Sequence, residues 1–530
     1  MRRRPITAVL VAAAALLSGL ALGEAHGAPA IVELRVMTLN VLYGGDELDL
    51  RNGRWCARPD GCPETLAKVV EAIEESDADV VGLEEAERNT RQIADALGWF
   101  ANERTQVISR YPLVDPPGAG GMYVFVELTP GRVAAIANVH LTSDPYGPYA
   151  VRDGATAAEV LALEQSLRLP ELLPRLAVLP PLAAAGIPVF LVGDFNAPSH
   201  LDWTPAVAAV RPEVRYPLEW PVSLAAEQAG LRDSYREVYP DPVAKPGFTW
   251  TPGGPESDRA EVHDRIDLVL SAGPVTTIDS EIVGEANGLP DVDIEIVPYP
   301  TDHRGVVSTF AVTPGVPPLH AAVESRRLSV GDSLGVVFHA VGAAGERIAV
   351  VPAGGAASSA VAAQATGAGA PVDGRVTFPT SALSPDAYEA VLLSPADTVI
   401  SRSPFWLYAV GSRTEVAVGK PAYRIGEPID VRWRKAPGMR WDWVSIYAPG
   451  NADEQNPVAQ ACNAGGCTNS RYLFWLYTGA TVEGSAVFDA TTGFAGVCEW
   501  PLKPGMYEVQ LLLDDGYRAV ASSARFKVVR

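Results

Sequence analysis

Short apolar runs recur through the first 310 residues of this 530-residue chain, and polar clusters follow them. Four of the runs, at 32–37, 80–83, 133–137 and 189–192, are rich in β-branched residues and predict buried strands. The clusters are Thr38-Leu39-Asn40, Leu83-Glu84-Glu85, Asn138-Val139-His140, Gly193-Asp194-Phe195-Asn196 and Thr301-Asp302-His303. Since they follow strands, we expect their side chains to meet at one rim of a sheet.

Helical patterns alternate with these strands. Apolar positions 66, 69, 70 and 73 form a stripe that predicts a helix over 64–76. Further helices are predicted at 88–97 and 155–167. The alternation predicts an α/β or α+β domain with a buried sheet, extending from residue 31 to about residue 314.

After residue 314 the helical pattern fades and short alternating strands recur. Two segments, starting near 325 and 416, resemble diverged copies of one another. Their spacing predicts two β-sandwich domains over 315–413 and 414–530 that resemble immunoglobulin-like modules. Their role remains open among three alternatives: binding a glycan or cell surface, docking on the first domain, or acting as a spacer.

The N-terminus has the pattern of a signal peptide over residues 1–30. Arg2-Arg3-Arg4 precedes an apolar stretch at 6–22, and small residues follow it. We expect a cleaved leader and a secreted protein, with an uncleaved membrane anchor as the alternative. Five cysteines agree with an oxidising compartment. Cys56–Cys62 is the expected disulfide, and Cys462–Cys467 is favoured as a second, leaving Cys498 free.

Composition and charge limit the class of protein. With 48% apolar and 20% charged residues the chain is globular, and its length predicts two to four domains. Residues 31–314 contain 21 Lys and Arg against 43 Asp and Glu. Because tight nucleic-acid binding depends on Lys and Arg, we expect no stable nucleic-acid complex. We expect a monomer.

The polar positions are more informative as an ordered set than singly. A set of carboxylates, amides and imidazoles contains the groups that bind a hard cation and a phosphate. Together they resemble the endonuclease/exonuclease/phosphatase superfamily, which includes deoxyribonuclease I, apurinic endonucleases, neutral sphingomyelinases and inositol-polyphosphate 5-phosphatases. The positions are Asn40, Glu85, His140, Asp194, Asn196, Asp267, Asp302 and His303. The resemblance covers residues 31 to about 313 and implies an α/β four-layer sandwich, with two packed β-sheets flanked by helices.

The resemblance also implies a divalent-cation site. Asn40 and Glu85 would hold the cation, and Asp302 would contribute to the metal region. Oxygen ligands without cysteine suit Mg²⁺, or Mn²⁺ as the alternative, better than Zn²⁺.

Further roles follow for in-line attack of water on phosphorus. His303 would be the general base, and Asp267 would accept a hydrogen bond from its other ring nitrogen. Asp194 would stabilise or protonate the leaving oxygen. Asn196 and His140 would bind phosphoryl oxygens.

Three positions keep two interpretations, and a fourth is assigned a structural role. Asp264 competes with Asp267 for the orienting role, and if Asp267 takes it we expect Asp264 at the surface. Arg152 would bind substrate or form a surface ion pair with Asp153. Trp250 would be a wall of the phosphate site or a core residue, whereas His200 is interpreted as structural.

Three functions are compatible with these patterns. The leading hypothesis is an exported, divalent-metal-dependent phosphoesterase acting on a diester or monoester. The second is a secreted nuclease. The third is a surface- or glycan-binding protein in which the C-terminal modules act and the first domain is a relic. The loop at 43–63 lies beside Asn40 and is the candidate for choosing the substrate.

Overall fold

The computed structural model describes residues 30–58, 61–250, 261–285, 291–369, 371–449, 472–492 and 500–530. The predicted signal segment and the three cysteines Cys462, Cys467 and Cys498 lie outside the described residues. The predicted Cys56–Cys62 disulfide is present. Within the described ranges, no helix combines the length and apolar character needed to cross a membrane.

The first 314 residues contain fifteen strands and eight α-helices in the described ranges. The strands are β1 (Val32–Asn40), β2 (Leu48–Asp49), β3 (Arg54–Trp55), β4 (Val80–Glu84), β5 (Phe100–Asn102), β6 (Val107–Ser109), β7 (Leu113–Val114), β8 (Val124–Thr129), β9 (Arg132–His140), β10 (Val189–Asp194), β11 (Arg232–Asp233), β12 (Asp267–Ala272), β13 (Val275–Gly284), β14 (Ile294–Glu295) and β15 (Gly305–Val312). The helices are α1 (Pro63–Glu75), α2 (Thr90–Leu97), α3 (Gly147–Arg152), α4 (Ala157–Ser166), α5 (Arg168–Ala184), α6 (Pro205–Ala208), α7 (Pro221–Gln228) and α8 (Ser234–Val238). The helices predicted at 64–76, 88–97 and 155–167 are confirmed as α1, α2 and α4.

Two large sheets pack face to face. One has the strand order β14-β13-β15-β1-β4-β6-β5 and the other the order β11-β12-β10-β9-β8-β7. Alternate residues of each strand point inward and form a core between the sheets, in which the rings of Phe190 and Phe310 lie 4.9 Å apart. Residues of α1 and α2 cover the outer face of the first sheet, and residues of α4, α5 and α7 cover the second. The predicted four-layer α/β sandwich is therefore present.

Strands account for nearly all of the regular secondary structure in the remaining described residues. They are β16 (His320–Val323), β17 (Arg327–Ser329), β18 (Ser333–Ala340), β19 (Arg347–Pro352), β20 (Ala362–Ala365), β21 (Val372–Pro379), β22 (Asp386–Leu393), β23 (Val399–Tyr408), β24 (Glu415–Val418), β25 (Ala422–Arg424), β26 (Ile429–Arg434), β27 (Trp443–Tyr447), β28 (Tyr472–Tyr477), β29 (Gly484–Phe488), β30 (Gly505–Leu512), β31 (Ala519–Ser522) and β32 (Phe526–Val529). Strands β16–β23 form one pair of sheets, the first β unit, and β24–β32 form the second β unit. Each unit has a hydrophobic core of its own. Their immunoglobulin-like character stays a prediction.

Candidate active site

The register of the two large sheets brings the predicted polar residues together. Strands β1 and β4 are parallel and pair Asn40 with Glu84 at their ends. Strands β9 and β10 are also parallel and pair His140 with Asp194. Antiparallel β12 begins opposite Asp194, at Asp267. The polar ends of both sheets therefore meet at one rim, as the strand-end pattern predicts.

His303 forms a buried pair with Asp267 at this rim. Its Nδ1 lies 2.9 Å from Asp267 Oδ2, and its Nε2 lies 3.7 Å from Asp194 Oδ2. Burial alone would lower the pKa of His303, but the negative charges of Asp267 and Asp194 outweigh it and raise the pKa well above its usual value. One ring nitrogen is therefore fixed by a carboxylate while the other faces the centre of the site.

His140 is held in a similar way by a residue of the second β unit. Its Nε2 lies 3.7 Å from Asp194 Oδ2 and 3.8 Å from Glu85 Oε1. Its Nδ1 lies 2.5 Å from Oδ2 of Asp515. Burial lowers the pKa of His140, but the charges of Asp515, Asp194 and Glu85 outweigh it and raise the pKa to about 10. Nothing in the local sequence around Asp515 predicts this contact.

Asn40 links the two sides of the rim. Its Nδ2 donates to Glu85 Oε1 at 3.1 Å and to Asp194 Oδ2 at 3.2 Å. The other oxygen of Glu85 accepts a hydrogen bond from the backbone N–H of Tyr43 at 3.0 Å, so the loop that follows β1 is tied to the site. Glu85 has φ of 56°, a left-handed conformation that a non-glycine residue adopts only when its surroundings fix it.

Asn196 supports Asp194 from the loop after β10. Its backbone N–H donates to Asp194 Oδ1 at 2.8 Å, and its Nδ2 donates to Asp194 Oδ2 at 3.2 Å and to Leu141 O at 2.9 Å. Like Glu85, Asn196 has a positive φ, of 46°. Its amide is therefore occupied in holding Asp194, and its predicted contact with a phosphoryl oxygen stays a prediction.

Carboxylates outnumber the cationic side chains at the rim. Burial raises the pKa of Asp194 to about 6, and burial together with the nearby Glu85 raises that of Asp302 to about 6 although His303 opposes it. Ligand atoms of Asp194, Asp267 and His303 lie within 4.8 Å of one another, and Asp267 Oδ1 is buried without a hydrogen-bond partner. An excess of buried oxygen ligands with one unsatisfied atom fits a hard divalent cation.

A second set of potential ligands adjoins the predicted one. The predicted ligands are Asn40, Glu85 and Asp302, and ligand atoms of Asp194, Asp267 and His303 also lie close enough together to share a cation. The two sets adjoin one another, because Asn40 hydrogen-bonds to Asp194. Asp302 interacts electrostatically with a member of each set, because the charge of His303 lowers its pKa and the charge of Glu85 raises it.

Glu84 is a buried acid to which the sequence patterns assign no role. It has no exposed surface and accepts a hydrogen bond from Thr38 Oγ1 at 3.0 Å. Burial, with Asp267 and Asp194 nearby, raises its pKa well above the usual value. Glu84 lies on the same face of β4 as Gly82, next to Thr38 of β1, and in the structure this face points inward, between the two sheets.

Asp264 is not a surface residue, so that prediction is wrong. It is 2% exposed and accepts hydrogen bonds from Trp203 Nε1 at 2.8 Å and Tyr146 OH at 3.3 Å. Trp203 lies 61 residues before Asp264, so no local sequence pattern indicates the contact between them. Asp267, the preferred orienting residue, is the one that contacts His303.

The buried carboxyl of Asp264 predicts a pH dependence of stability. Burial raises its pKa to about 7 against the opposing effect of Arg211. In the unfolded chain the group loses its proton near pH 4, so between about pH 4 and 7 the folded state binds more protons and its stability falls as pH rises. Relative to Asp264→Asn, the wild-type free energy of unfolding is expected to decline with pH by at most about 1.4 kcal/mol per unit in that window.

Urea unfolding of both proteins at pH 4.5, 5.5 and 6.5 measures this slope. The matched control is Asp241→Asn, at an exposed position, whose profile is expected to parallel that of the wild type. Parallel profiles for Asp264→Asn and the wild type would show that Asp264 is ionised throughout.

Of the remaining predicted positions, Trp250 lies beside His303 and Arg152 lies in a surface ion pair. The Trp250 ring lies 4.8 Å from the His303 ring, and its Nε1 donates to Glu261 at 3.0 Å. Trp250 is therefore a half-buried wall beside His303. Arg152, at the end of α3, forms the ion pair with Asp153 at 2.9 Å that was the alternative interpretation, and its predicted contact with substrate stays a prediction.

His200 has the partners of a structural residue. Its Nδ1 lies 3.1 Å from Ser223 Oγ and its Nε2 lies 3.0 Å from Glu227 Oε2. Both ring nitrogens are thus satisfied within the α7 region, which agrees with the structural interpretation.

Four layers with carboxylates and histidines at one rim are the architecture of the phosphoesterase class that the sequence resembles. A model of the endonuclease/exonuclease/phosphatase family matches residues 37–303, half of the chain. The chain therefore belongs to this family, whose members are hydrolases acting on phosphate esters.

Three individual proteins that resemble this chain are 30% identical to it or less. An uncharacterised protein of Caenorhabditis elegans is 30% identical over 266 residues, which are 46% of this chain and 79% of that protein. An endonuclease/exonuclease/phosphatase protein of Beutenbergia cavernae has 18% identity and a TM-score of 0.32, covering 71% of this chain and all of that one. An AP endonuclease of Archaeoglobus fulgidus has 14% identity and a TM-score of 0.34, covering 53% and 100%. These structural similarities are too weak to add to the family match.

Proposed function

We propose that this protein is an exported, divalent-metal-dependent phosphoesterase that hydrolyses a phosphate diester or monoester by direct attack of water. The observation that carries the proposal is the convergence of two histidines on one carboxylate. Both Nε2 atoms lie 3.7 Å from Asp194 Oδ2, and both Nδ1 atoms are held by other carboxylates. Two fixed imidazoles around one acid supply the proton donors and acceptors that such hydrolysis needs.

His303 is assigned as the general base. Asp267 accepts from Nδ1 and keeps Nε2 free to take a proton from the attacking water. The cation would be held among Asn40, Glu85, Asp302 and the neighbouring Asp194 and Asp267, with Mg²⁺ as the expected metal and Mn²⁺ as the alternative. When bound, a divalent cation supplies positive charge that offsets these carboxylates, lowers the pKa of both histidines and polarises the phosphoryl group.

The other residues act on the phosphate and the leaving group. His140 presents Nε2 to the centre of the site, where it donates to a phosphoryl oxygen as negative charge develops there. Asp194, buried and with a raised pKa of about 6, is placed to assist the leaving oxygen, and Asn196 keeps it in position. Trp250 closes the site beside His303.

Export is supported by the leader pattern at residues 1–30 and by the disulfide Cys56–Cys62, which is typical of an oxidising compartment.

Metal removal tests the proposal. The purified full chain is assayed with Mg²⁺ or with EDTA on bis-p-nitrophenyl phosphate, mono-p-nitrophenyl phosphate, plasmid DNA and sphingomyelin vesicles. We expect hydrolysis of a p-nitrophenyl ester that EDTA abolishes and Mg²⁺ restores, because the rim carboxylates need a cation to accept an anionic substrate.

The same assay separates the alternatives. Nicking of the plasmid that falls steeply with salt would make the protein a nuclease. EDTA-insensitive hydrolysis would contradict the metal assignment, and failure on all four substrates would overturn the proposed function.

A further inference from the structure

We propose that Asp515 of the second β unit is a positioning residue for His140, so that the active site of the first domain is completed by the C-terminal module. The inference rests on the proposed function and extends it to a residue 375 positions further along the chain. The residue belongs to the turn at 513–518 between β30 and β31, here called the site turn.

The two histidines of the site are held by the same geometry. His303 has Asp267 Oδ2 at 2.9 Å from Nδ1, and His140 has Asp515 Oδ2 at 2.5 Å from Nδ1. In both, Nε2 faces Asp194 at 3.7 Å. A carboxylate behind an imidazole fixes its tautomer and the direction of its other nitrogen. Asp515 therefore does for His140 what Asp267 does for His303.

Asp515 is behind His140 and does not occupy the centre of the site. Its carboxylate contacts Nδ1, the nitrogen that faces away from Asp194, while Nε2 is left directed at the centre. A residue that blocked the site would contact Nε2 instead. Asp515 therefore has the position of a residue that orients His140.

The second β unit holds Asp515 rigidly. Tyr477 OH donates to its Oδ1 at 3.0 Å, and its own N–H donates to Trp441 O at 2.9 Å. Trp443 Nε1 donates to Gly516 O at 2.9 Å. Asp514 and Asp515 have φ of 47° and 67°, a strained conformation that these hydrogen bonds maintain.

The first domain receives the site turn on a matching surface. Gln106 Nε2 donates to Asp514 O at 3.3 Å. Arg104 donates to Gly438 O at 3.2 Å and to Ala480 O at 3.1 Å, and its own carbonyl accepts from Arg440 N at 2.8 Å. These contacts join backbone and side chains on both sides, so the second β unit is docked and is not a loose spacer.

The packing at the turn is close. A side chain on Gly516 would place its Cβ 2.6 Å from Glu87 Cδ, so the absence of a side chain there permits the approach. The ring of Tyr517 lies 6.1 Å from the ring of Tyr43, whose N–H binds Glu85. The site turn therefore contacts the two loops that follow β1 and β4, beside the predicted cation ligands.

The test compares full-length variants on the p-nitrophenyl ester that the wild type hydrolyses. For Asp515→Asn we expect kcat to fall about 10- to 100-fold with KM little changed, the size of effect seen when a support behind a site residue is removed. Asp515→Glu, which keeps the carboxylate, is expected to recover part of the loss. The control is Asp430→Asn, an exposed acid of the same unit, with wild-type kinetics expected.

A second readout does not depend on activity. In protein with ¹⁵N-labelled histidine, the Nδ1–H resonance assigned through His140→Gln is expected to shift or vanish in Asp515→Asn and to persist in Asp430→Asn. Unchanged kcat in Asp515→Asn, or kcat above that of the wild type, would overturn the proposal. If the wild type hydrolyses no substrate, the proposed function fails, while the resonance still reports whether Asp515 holds His140.

Discussion

Replacing His303 with alanine is expected to lower kcat on the hydrolysed p-nitrophenyl ester about 10²- to 10⁴-fold, the usual contribution of a positioned general base. The physical reason is its fixed geometry: Asp267 Oδ2 lies 2.9 Å from Nδ1, so on the proposed mechanism Nε2 would receive the proton of the attacking water. Steady-state kinetics at saturating Mg²⁺ measure the change, with thermal unfolding to confirm that the variant folds.

The matched control is His200→Ala. His200 is a partly buried histidine whose two ring nitrogens also have partners, but these are Ser223 and Glu227, outside the rim. Near-normal kcat is expected for this variant at temperatures where it is folded. Equal losses in both variants, or full activity without His303, would remove His303 from the role of base.

Replacing Arg265 with alanine is expected to lower the free energy of unfolding by about 3–5 kcal/mol, the cost of breaking a buried ion pair on one side. Arg265 is fully buried, and its Nη2 lies 2.7 Å from Asp233 Oδ2 and 2.9 Å from Asp202 Oδ2. Its loss leaves two carboxylates out of water. Asp202 keeps its ion pair with Arg236, whereas Asp233 keeps hydrogen bonds from Ser199 Oγ and from the backbone N–H of Arg236. Urea unfolding followed by tryptophan fluorescence measures the effect.

Arg232→Ala is the control for this variant. Arg232 also pairs with an acid, Glu237 at 2.7 Å, but its side chain is 39% exposed. Ion pairs at the surface contribute about 0–1 kcal/mol, so only a small change is expected. If the two variants lose similar stability, the buried cluster around Arg265 does not carry the energy assigned to it.

The sequence predicts the rim of the site well because its residues follow strands. Asn40, His140 and Asp194 each end a strand, and neighbouring parallel strands end at the same edge of a sheet. Position relative to a strand is a local property, so a pattern in the sequence is enough to place these side chains near one another.

The misplaced and missed residues depend on contacts between distant segments. Asp264 is buried by Trp203 and Tyr146, and Asp515 reaches His140 only through the docking of a whole module. Neither contact leaves a periodic signal near the residue itself. Glu84 is different, because it directly follows the apolar run of β4 and belongs to a strand that is buried along its whole length.

The contact between His140 and Asp515 also sets an order of events during synthesis. The first domain leaves the ribosome some hundreds of residues before the site turn does, and domains generally fold in that order. On the proposed mechanism, a nascent chain therefore carries a folded but incompletely supported site until both β units have been made and docked. On that mechanism, hydrolysis at full rate would mark a molecule in which both β units have been made and docked.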